Sequence, residues 1–199
     1  MDFRDTPEEA AFRVEVRAWL GVNATPRTSD DERFDAGMSE AERIAAAREW
    51  QRKKAQAGYA AITWPREFGG MGGTPIQQVI YGQEEEQFLV PRQVFENSLG
   101  QCLPTVAMWA KPELTAQYIP RGLRGDDIWC QLFSEPAAGS DTGGIRTRAE
   151  KRGDEWIVNG QKVWTSGAHF CDYGILLARS DWEKPKQKGL TMFMLDMKA

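Results

Sequence analysis

Hydrophobic residues recur at helical spacing over the first 120 or so positions, then give way to short β-like runs. Phe12, Val16, Trp19 and Leu20 fall on one helical face. Thr6 can cap that helix, Pro7 suits its first position, and Glu8 and Glu9 favour its positive end. Gly21 and Asn23 can end it, and a polar, acidic connection follows to about residue 38. Ser39 and Glu42 form a capping box for a second helix, with Gly58 as its stop. Ile44, Ala47, Trp50, Lys54 and Ala57 outline its inner face, Lys54 being the polar interruption. Thr74 and Gln77 form another capping box, opening a helix that reaches about Leu89. Helical spacing also fits 92–109 and 112–120, with the short connections of a helical bundle.

Past Arg124-Gly125-Asp126-Asp127, strands are expected at 128–134, 146–151, 155–158, 161–165, 172–179 and 190–196. Gly, Asp, Asn and Pro separate them. Arg152-Gly153-Asp154 and Asn159-Gly160 bracket a hairpin. The fold class is therefore α+β: an N-terminal all-α bundle over 1–125, then an all-β, barrel- or sandwich-like domain over 126–199.

The chain has 199 residues, 41% of them hydrophobic, and a net charge of −4. These values allow a packed core and disfavour nucleic-acid binding, because no basic stripe stands out. No apolar stretch approaches the roughly 20 residues of a membrane helix. The start of the chain lacks the basic and apolar parts of a signal peptide, so a cytoplasmic location is expected. Cys102, Cys130 and Cys171 form no paired motif, and His169 is the sole histidine. Neither a metal site nor a disulfide framework is expected; buried thiols are. The glycine-rich stretch 63–73 lacks the preceding strand and the Gly-Lys-Ser/Thr of a phosphate loop, and reads as a tight interdomain turn.

Two stretches can carry chemistry. In 131–144 a strand runs into Glu135-Pro136-Ala137-Ala138-Gly139-Ser140-Asp141. Small residues there let a ligand approach the backbone, and free amides with the Ser140 hydroxyl can hold a phosphate or a ring carbonyl. In 162–169, Trp164 is followed by Thr165 and Ser166, which offers a flat heterocycle a stacking face and an edge of hydrogen bonds. Taken singly, each also reads as a turn or a buried ring with solvated hydroxyls. Glu84, Glu85 and Glu86 read as a solvated helix face. Ser166, His169 and Asp172 invite a hydrolytic triad, but no nucleophile elbow accompanies them.

Together the stretches resemble the middle domain of the acyl-CoA dehydrogenase family, with its patterns (S/T)-E-P-x-A-G-S-D, N-G-x-K-x-W-(I/T)-(T/S) and L-L-A-R. Here they stand at 134–141, 159–166 and 176–179. Trp64-Pro65 and 68–72 resemble a loop of the family's helical domain. The resemblance implies FAD as cofactor. Gln131, Leu132, Phe133 and Ser134 would line its pyrimidine side, with Ser134 near N1 and O2. Gly139 and Ser140 would reach the pyrophosphate, and Ser140 also the acyl-CoA thioester arm. Trp164 would cover one face of the isoalloxazine, with Thr165 and Ser166 at its N5 and O4 edge. Donors there stabilise negative charge on the reduced ring.

The implied reaction is α,β-dehydrogenation of an acyl-CoA thioester, with electrons passed to an electron-transfer flavoprotein. A homodimer or homotetramer is the expected assembly. Ala137 departs from the family's glycine, which requires a negative φ. In the family the catalytic glutamate lies in a following helical domain, so no residue of this chain is named as the base, and a truncated, inactive chain with exposed apolar surface is expected. The alternatives are a flavin monooxygenase or oxidase of the same fold, and a non-catalytic half-subunit needing a partner chain.

Overall fold

The computed structural model describes residues 4–28 and 33–199. Residues 29–32, part of the polar connection expected up to residue 38, lie outside the described residues. Two compact units emerge, one of residues Met1–Val94 and Pro112–Asp126, the other of Phe95–Lys111 and Asp127–Ala199.

The first unit is helical. Helix α1 (Pro7–Asn23) has a full capping box, Thr6 accepting from the Glu9 amide and Glu9 accepting from the Thr6 amide. It runs through Gly21 and buries Phe12, Val16 and Leu20. A two-residue strand, β1 (Thr25–Pro26), follows. Helix α2 (Glu40–Gln56) is boxed by Ser39 and Glu42. Ala47 and Trp50 lie on its buried face, whereas Ala57 is exposed. Gly58 stops it at φ 84°, as expected. Helix α3 (Pro75–Glu85), boxed by Thr74 and Gln77, ends four residues short of Leu89. There Phe88 and Leu89 form strand β2 (Phe88–Leu89), antiparallel to β1. Phe12, Val16, Leu20, Trp50, Tyr59, Ile62, Ile80 and Tyr81 share one core. Within it Tyr59 stacks on Tyr81 at 5.3 Å, and Trp19 meets Trp50 at 5.4 Å.

The glycine-rich stretch is a tight turn inside this unit. Its Gly70, Met71, Gly72 and Gly73 amides donate to Pro65, Ala61, Trp64 and Ile62 carbonyls, so they offer no phosphate cradle. A Cβ on Gly70 would stand 2.2 Å from the Trp64 carbonyl oxygen, which explains the glycine.

The solvated face expected for 84–86 holds only for Glu86. Glu84 is buried, bound by Arg13 at 3.0 Å and Arg17 at 2.8 Å, and Arg13 also grips Asp5 at 2.6 Å. Glu85 accepts from Trp50 Nε1 and Tyr81 Oη, both at 3.0 Å. These acids join α1, α2 and α3 and are structural. Helix α5 (Pro112–Arg124) also belongs to this unit.

Residues 92–109 are not one α-helix. The helical stretch starts at Glu96 and contains a π turn (Ser98–Cys102), before α4 (Leu103–Trp109). Pro104 has no amide to donate, and the extra residue in the turn relieves the ladder there. Ser98 Oγ accepts the Trp129 amide at 2.8 Å and donates to the Trp129 carbonyl at 3.2 Å. Helix α5 (Pro112–Arg124) continues past the expected end at residue 120 despite Pro120 within it.

The second unit holds one five-stranded mixed sheet. Its strands are β3 (Trp129–Leu132), β4 (Arg148–Arg152), β5 (Glu155–Asn159), β6 (Tyr173–Arg179) and β7 (Leu190–Asp196). Strand β6 is central, parallel to β3 and β4 and antiparallel to β7. The hairpin β4–β5 turns at Gly153-Asp154, Gly153 having φ 63°. The α+β class expected from the sequence is the class found.

Candidate functional site

The loop after β3 is built on a tight turn. The Glu135 amide donates to the Ala138 carbonyl at 2.8 Å and the Ala138 amide back to Glu135 at 3.1 Å, with Pro136 and Ala137 at the corner. Ala137 has a negative φ, so the side chain in place of glycine is tolerated. Beyond the turn Gly139, Ser140 and Asp141 are exposed. A Cβ on Gly139 would meet nothing within 4 Å, so this backbone is open to approach.

Residues 161–165 form no strand, contrary to expectation. Gly160 passes so close to Thr147 that a Cβ would lie 2.3 Å from the threonine Oγ1. Asn159 accordingly ends β5 and Gly160 leaves it without forming a turn. Trp164 then takes a left-handed backbone, φ 60°, with 92% of its surface exposed. Such a conformation in a bulky residue costs on the order of 1 kcal/mol or more. Nothing in the unit's own packing repays it. Next to it Thr165 Oγ1 is buried without a partner among the described residues. Ser166 is exposed, and Gly167, φ 73°, sits against the Phe170 ring.

A buried ion pair brings the two stretches together. Lys162 Nζ donates to the Glu135 carboxylate at 2.8 Å and the Phe133 carbonyl at 2.9 Å. The Val163 amide donates to the Ser134 carbonyl at 2.9 Å. Glu135 also receives the Arg146 and Thr147 amides at 2.7 and 2.9 Å. Burial alone would raise the Glu135 pKa; Lys162, Thr147 and the two amides outweigh it and hold the carboxyl at about 2. Burial lowers the Lys162 pKa against the pull of Glu135. Sequence reasoning assigned Glu135 and Lys162 no role, although both stand inside the quoted motifs.

Arg179, also buried, closes the lower part of the loop. Its guanidinium donates to the Gly143 carbonyl at 2.7 Å, Lys186 at 3.0 Å and Ile145 at 3.2 Å. Of the expected site residues, Leu132 is buried, and Gln131, Phe133, Ser134 and Thr165 are half-buried. Ser134 is joined directly to the Trp164 segment; Gly139 and Ser140 are joined to it by the chain alone. Asp172 accepts the Ile128 amide at 2.8 Å and pairs with Lys198, so its carboxylate has structural work of its own. Cys102, Cys130 and Cys171 are all buried free thiols, and burial pushes Cys102 up to about 12. Among the described residues no three His, Cys, Asp or Glu side chains are grouped to hold a metal ion. Among the same residues no helix is long and apolar enough to cross a membrane.

An exposed indole, a buried unpartnered hydroxyl and open small-residue backbone suit a flat heterocycle with a phosphate tail. The acyl-CoA dehydrogenase N-terminal domain matches residues 6–126, and the acyl-CoA dehydrogenase middle domain matches 130–199. The chain belongs to the acyl-CoA dehydrogenase family. It is 38% identical over 191 residues to acyl-CoA dehydrogenase FadE34 of Mycobacterium tuberculosis, covering 94% of this chain and 26% of that protein. It is 34% identical over 188 residues to acyl-CoA dehydrogenase IpdE1 of the same organism, covering 94% of this chain and 48% of that one. Among solved structures it is similar to the Tcur3481-Tcur3483 steroid ACAD, with TM-score 0.76 and 28% identity, covering 100% of this chain and 50% of that one. The ChsE4-ChsE5 complex from Mycobacterium tuberculosis matches at TM-score 0.76 and 28% identity, covering 100% and 49%. The chain spans about a quarter of the length of FadE34 and about half that of IpdE1 and of these structures.

Proposed function

We propose that these residues belong to an FAD-dependent oxidoreductase that dehydrogenates an acyl-CoA thioester between its α and β carbons, working in the cytoplasm. The observation that carries this reading is Trp164: a left-handed, almost fully exposed indole beside the orphaned Thr165 hydroxyl, stapled to the 131–135 segment. Strain held at an exposed position is what a stacking platform for an absent ring requires.

In this reading Trp164 covers one face of the isoalloxazine, and Thr165 and Ser166 meet its N5 and O4 edge. Gln131, Leu132, Phe133 and Ser134 line the pyrimidine side, with Ser134 at N1 and O2. Gly139 and Ser140 hold the pyrophosphate, and Ser140 also meets the thioester arm. When bound, FAD supplies the acceptor for the substrate's β-hydrogen. The chain's own contribution is to fix the ring's plane, exclude water from one face and place donors where negative charge grows. No carboxylate described here is assigned as the base that takes the α-proton; Glu84 and Glu135 are consumed by ion pairs. An electron-transfer flavoprotein would take the electrons onward, and the family fold favours assembly with further copies.

A second reading has specific support: the similar Tcur3481-Tcur3483 steroid ACAD and ChsE4-ChsE5 complex are each named for two proteins. A subunit acting only with a different partner chain fits that likeness. Anaerobic addition of acyl-CoA to the purified protein separates the readings. Bleaching of bound flavin supports the enzyme; bleaching only after a second chain is added supports the paired subunit. Bound flavin that is reduced but reoxidised at once by air would point to an oxidase.

A further inference from the structure

Three charged side chains are buried in one part of the second unit: Glu135, Lys162 and Arg179. A single peptide ties Arg179 to the other two. Its Ile145 carbonyl accepts from Arg179 Nε at 3.2 Å, and its Arg146 amide donates to Glu135 at 2.7 Å. Glu135 and Lys162 offset each other at 2.8 Å. Arg179 is the charge left over. Its guanidinium meets the Gly143, Lys186 and Ile145 carbonyls and, 5.4 Å away, the Trp182 ring, but no carboxylate among the described residues. Arg148 lies over the same ring at 5.9 Å and adds a second cation, while Asp181 pairs with Lys184 at 3.3 Å. A buried charge without a counter-charge is costly, so its place here points to an anion nearby.

What Arg179 holds is the turn that follows Ser140. Gly143 lies within that turn, Thr142–Gly144, and Ile145 directly follows it. The opposite wall leaves room for the guanidinium: a Cβ on Gly189 would stand 2.9 Å from Arg179 Nη1. Just before the turn, Gly139, Ser140 and Asp141 are exposed, and their amides donate to no group among the described residues. Free amides on an exposed backbone are thus backed by a buried, unanswered positive charge.

We infer that Arg179 is a positioning residue for a diphosphate held by this loop, clamping the turn through the Gly143 and Ile145 carbonyls and supplying the positive charge behind it. This role rests on the reading in which Gly139 and Ser140 hold the FAD pyrophosphate. At 6% exposure Arg179 acts through the loop rather than by touching a phosphate. Its planar fork reaches three carbonyls at once, which a lysine ammonium, a point charge on a flexible stem, does not reproduce.

The test is titration of FAD into the unaltered protein, Arg179→Gln and Arg179→Lys, each at low and high NaCl. Arg179→Gln should weaken FAD binding about tenfold, the scale of one unit charge lost behind a partly buried site. Its binding should also lose part of its sensitivity to salt. The absorption spectrum of FAD at saturation should stay as in the unaltered protein, because the ring's surroundings are untouched. Arg179→Lys, which keeps the charge without the fork, should recover part of the affinity. Should Arg179→Gln not fold, Arg179→Lys carries the test, with a loss of about threefold expected. FAD affinity unchanged in the folded variants overturns the role of Arg179 and leaves the flavin reading standing. Weaker binding with a shifted spectrum and unchanged salt sensitivity also overturns it, since that marks a deformed ring site. An unaltered protein that binds no FAD refutes the flavin reading itself, and this role with it.

Discussion

Replacing Lys162 by methionine keeps most of its length and apolar stem but removes the ammonium joining Phe133 to Glu135. The pair is buried, with side-chain exposure of 8% for Lys162 and 6% for Glu135. After the substitution Glu135 keeps its two backbone donors but loses its counter-charge. Removing one partner of a buried pair costs about 3–5 kcal/mol. The carboxyl's own titration measures the whole cradle, Lys162 together with Thr147 and the two amides, and so does not isolate the lysine. The carboxyl pKa falls from 4.5 to about 2 on folding. At about 1.4 kcal/mol per pH unit, that is worth ~3 kcal/mol. Because the folded value is the lower one, this stability is complete above about pH 4.5 and fades as pH falls through about 2. Urea unfolding at neutral pH should therefore show Lys162→Met destabilised by ~3 kcal/mol or more, with Glu135→Gln/Lys162→Met recovering part of the loss. Loss below ~1 kcal/mol, or strictly additive single changes, would refute the view that the pair staples the two stretches.

Trp164→Gly should leave the stability of the flavin-free protein unchanged or raise it by ~1 kcal/mol, since it relieves a left-handed tryptophan and removes no buried contact; the same change should sharply weaken FAD retention, read by flavin released on dialysis. Gly160→Ala should lower the melting temperature through overlap with Thr147, at a cost of ~1–3 kcal/mol. Glu84→Gln should destabilise the helical unit by ~1–3 kcal/mol in chemical unfolding while leaving flavin reduction by acyl-CoA intact; loss of reduction with stability kept would make Glu84 catalytic after all.

The helix starts were legible because capping is a local rule: Thr6, Ser39 and Thr74 each close a box with the residue three positions on. The π turn was not, since it depends on Pro104 together with the remote Ser98–Trp129 contact. A run of three glutamates signals solvent, and only tertiary packing reveals that Arg13 and Arg17 draw Glu84 inward. The 161–165 stretch has strand composition, but Gly160 against Thr147 and the left-handed Trp164 override it. The site residues stood out as two motifs. What joins them, a lysine reaching a glutamate 27 positions away, leaves no short-range trace.

The most direct test of the central claim is titration of FAD into the flavin-free protein, comparing it with its Trp164→Ala and Ser134→Ala variants. Tight FAD binding that perturbs the flavin spectrum and is weakened at least tenfold by either substitution is the predicted result. FAD binding that neither substitution touches, or none at all, would contradict the placement of the flavin between the two stretches.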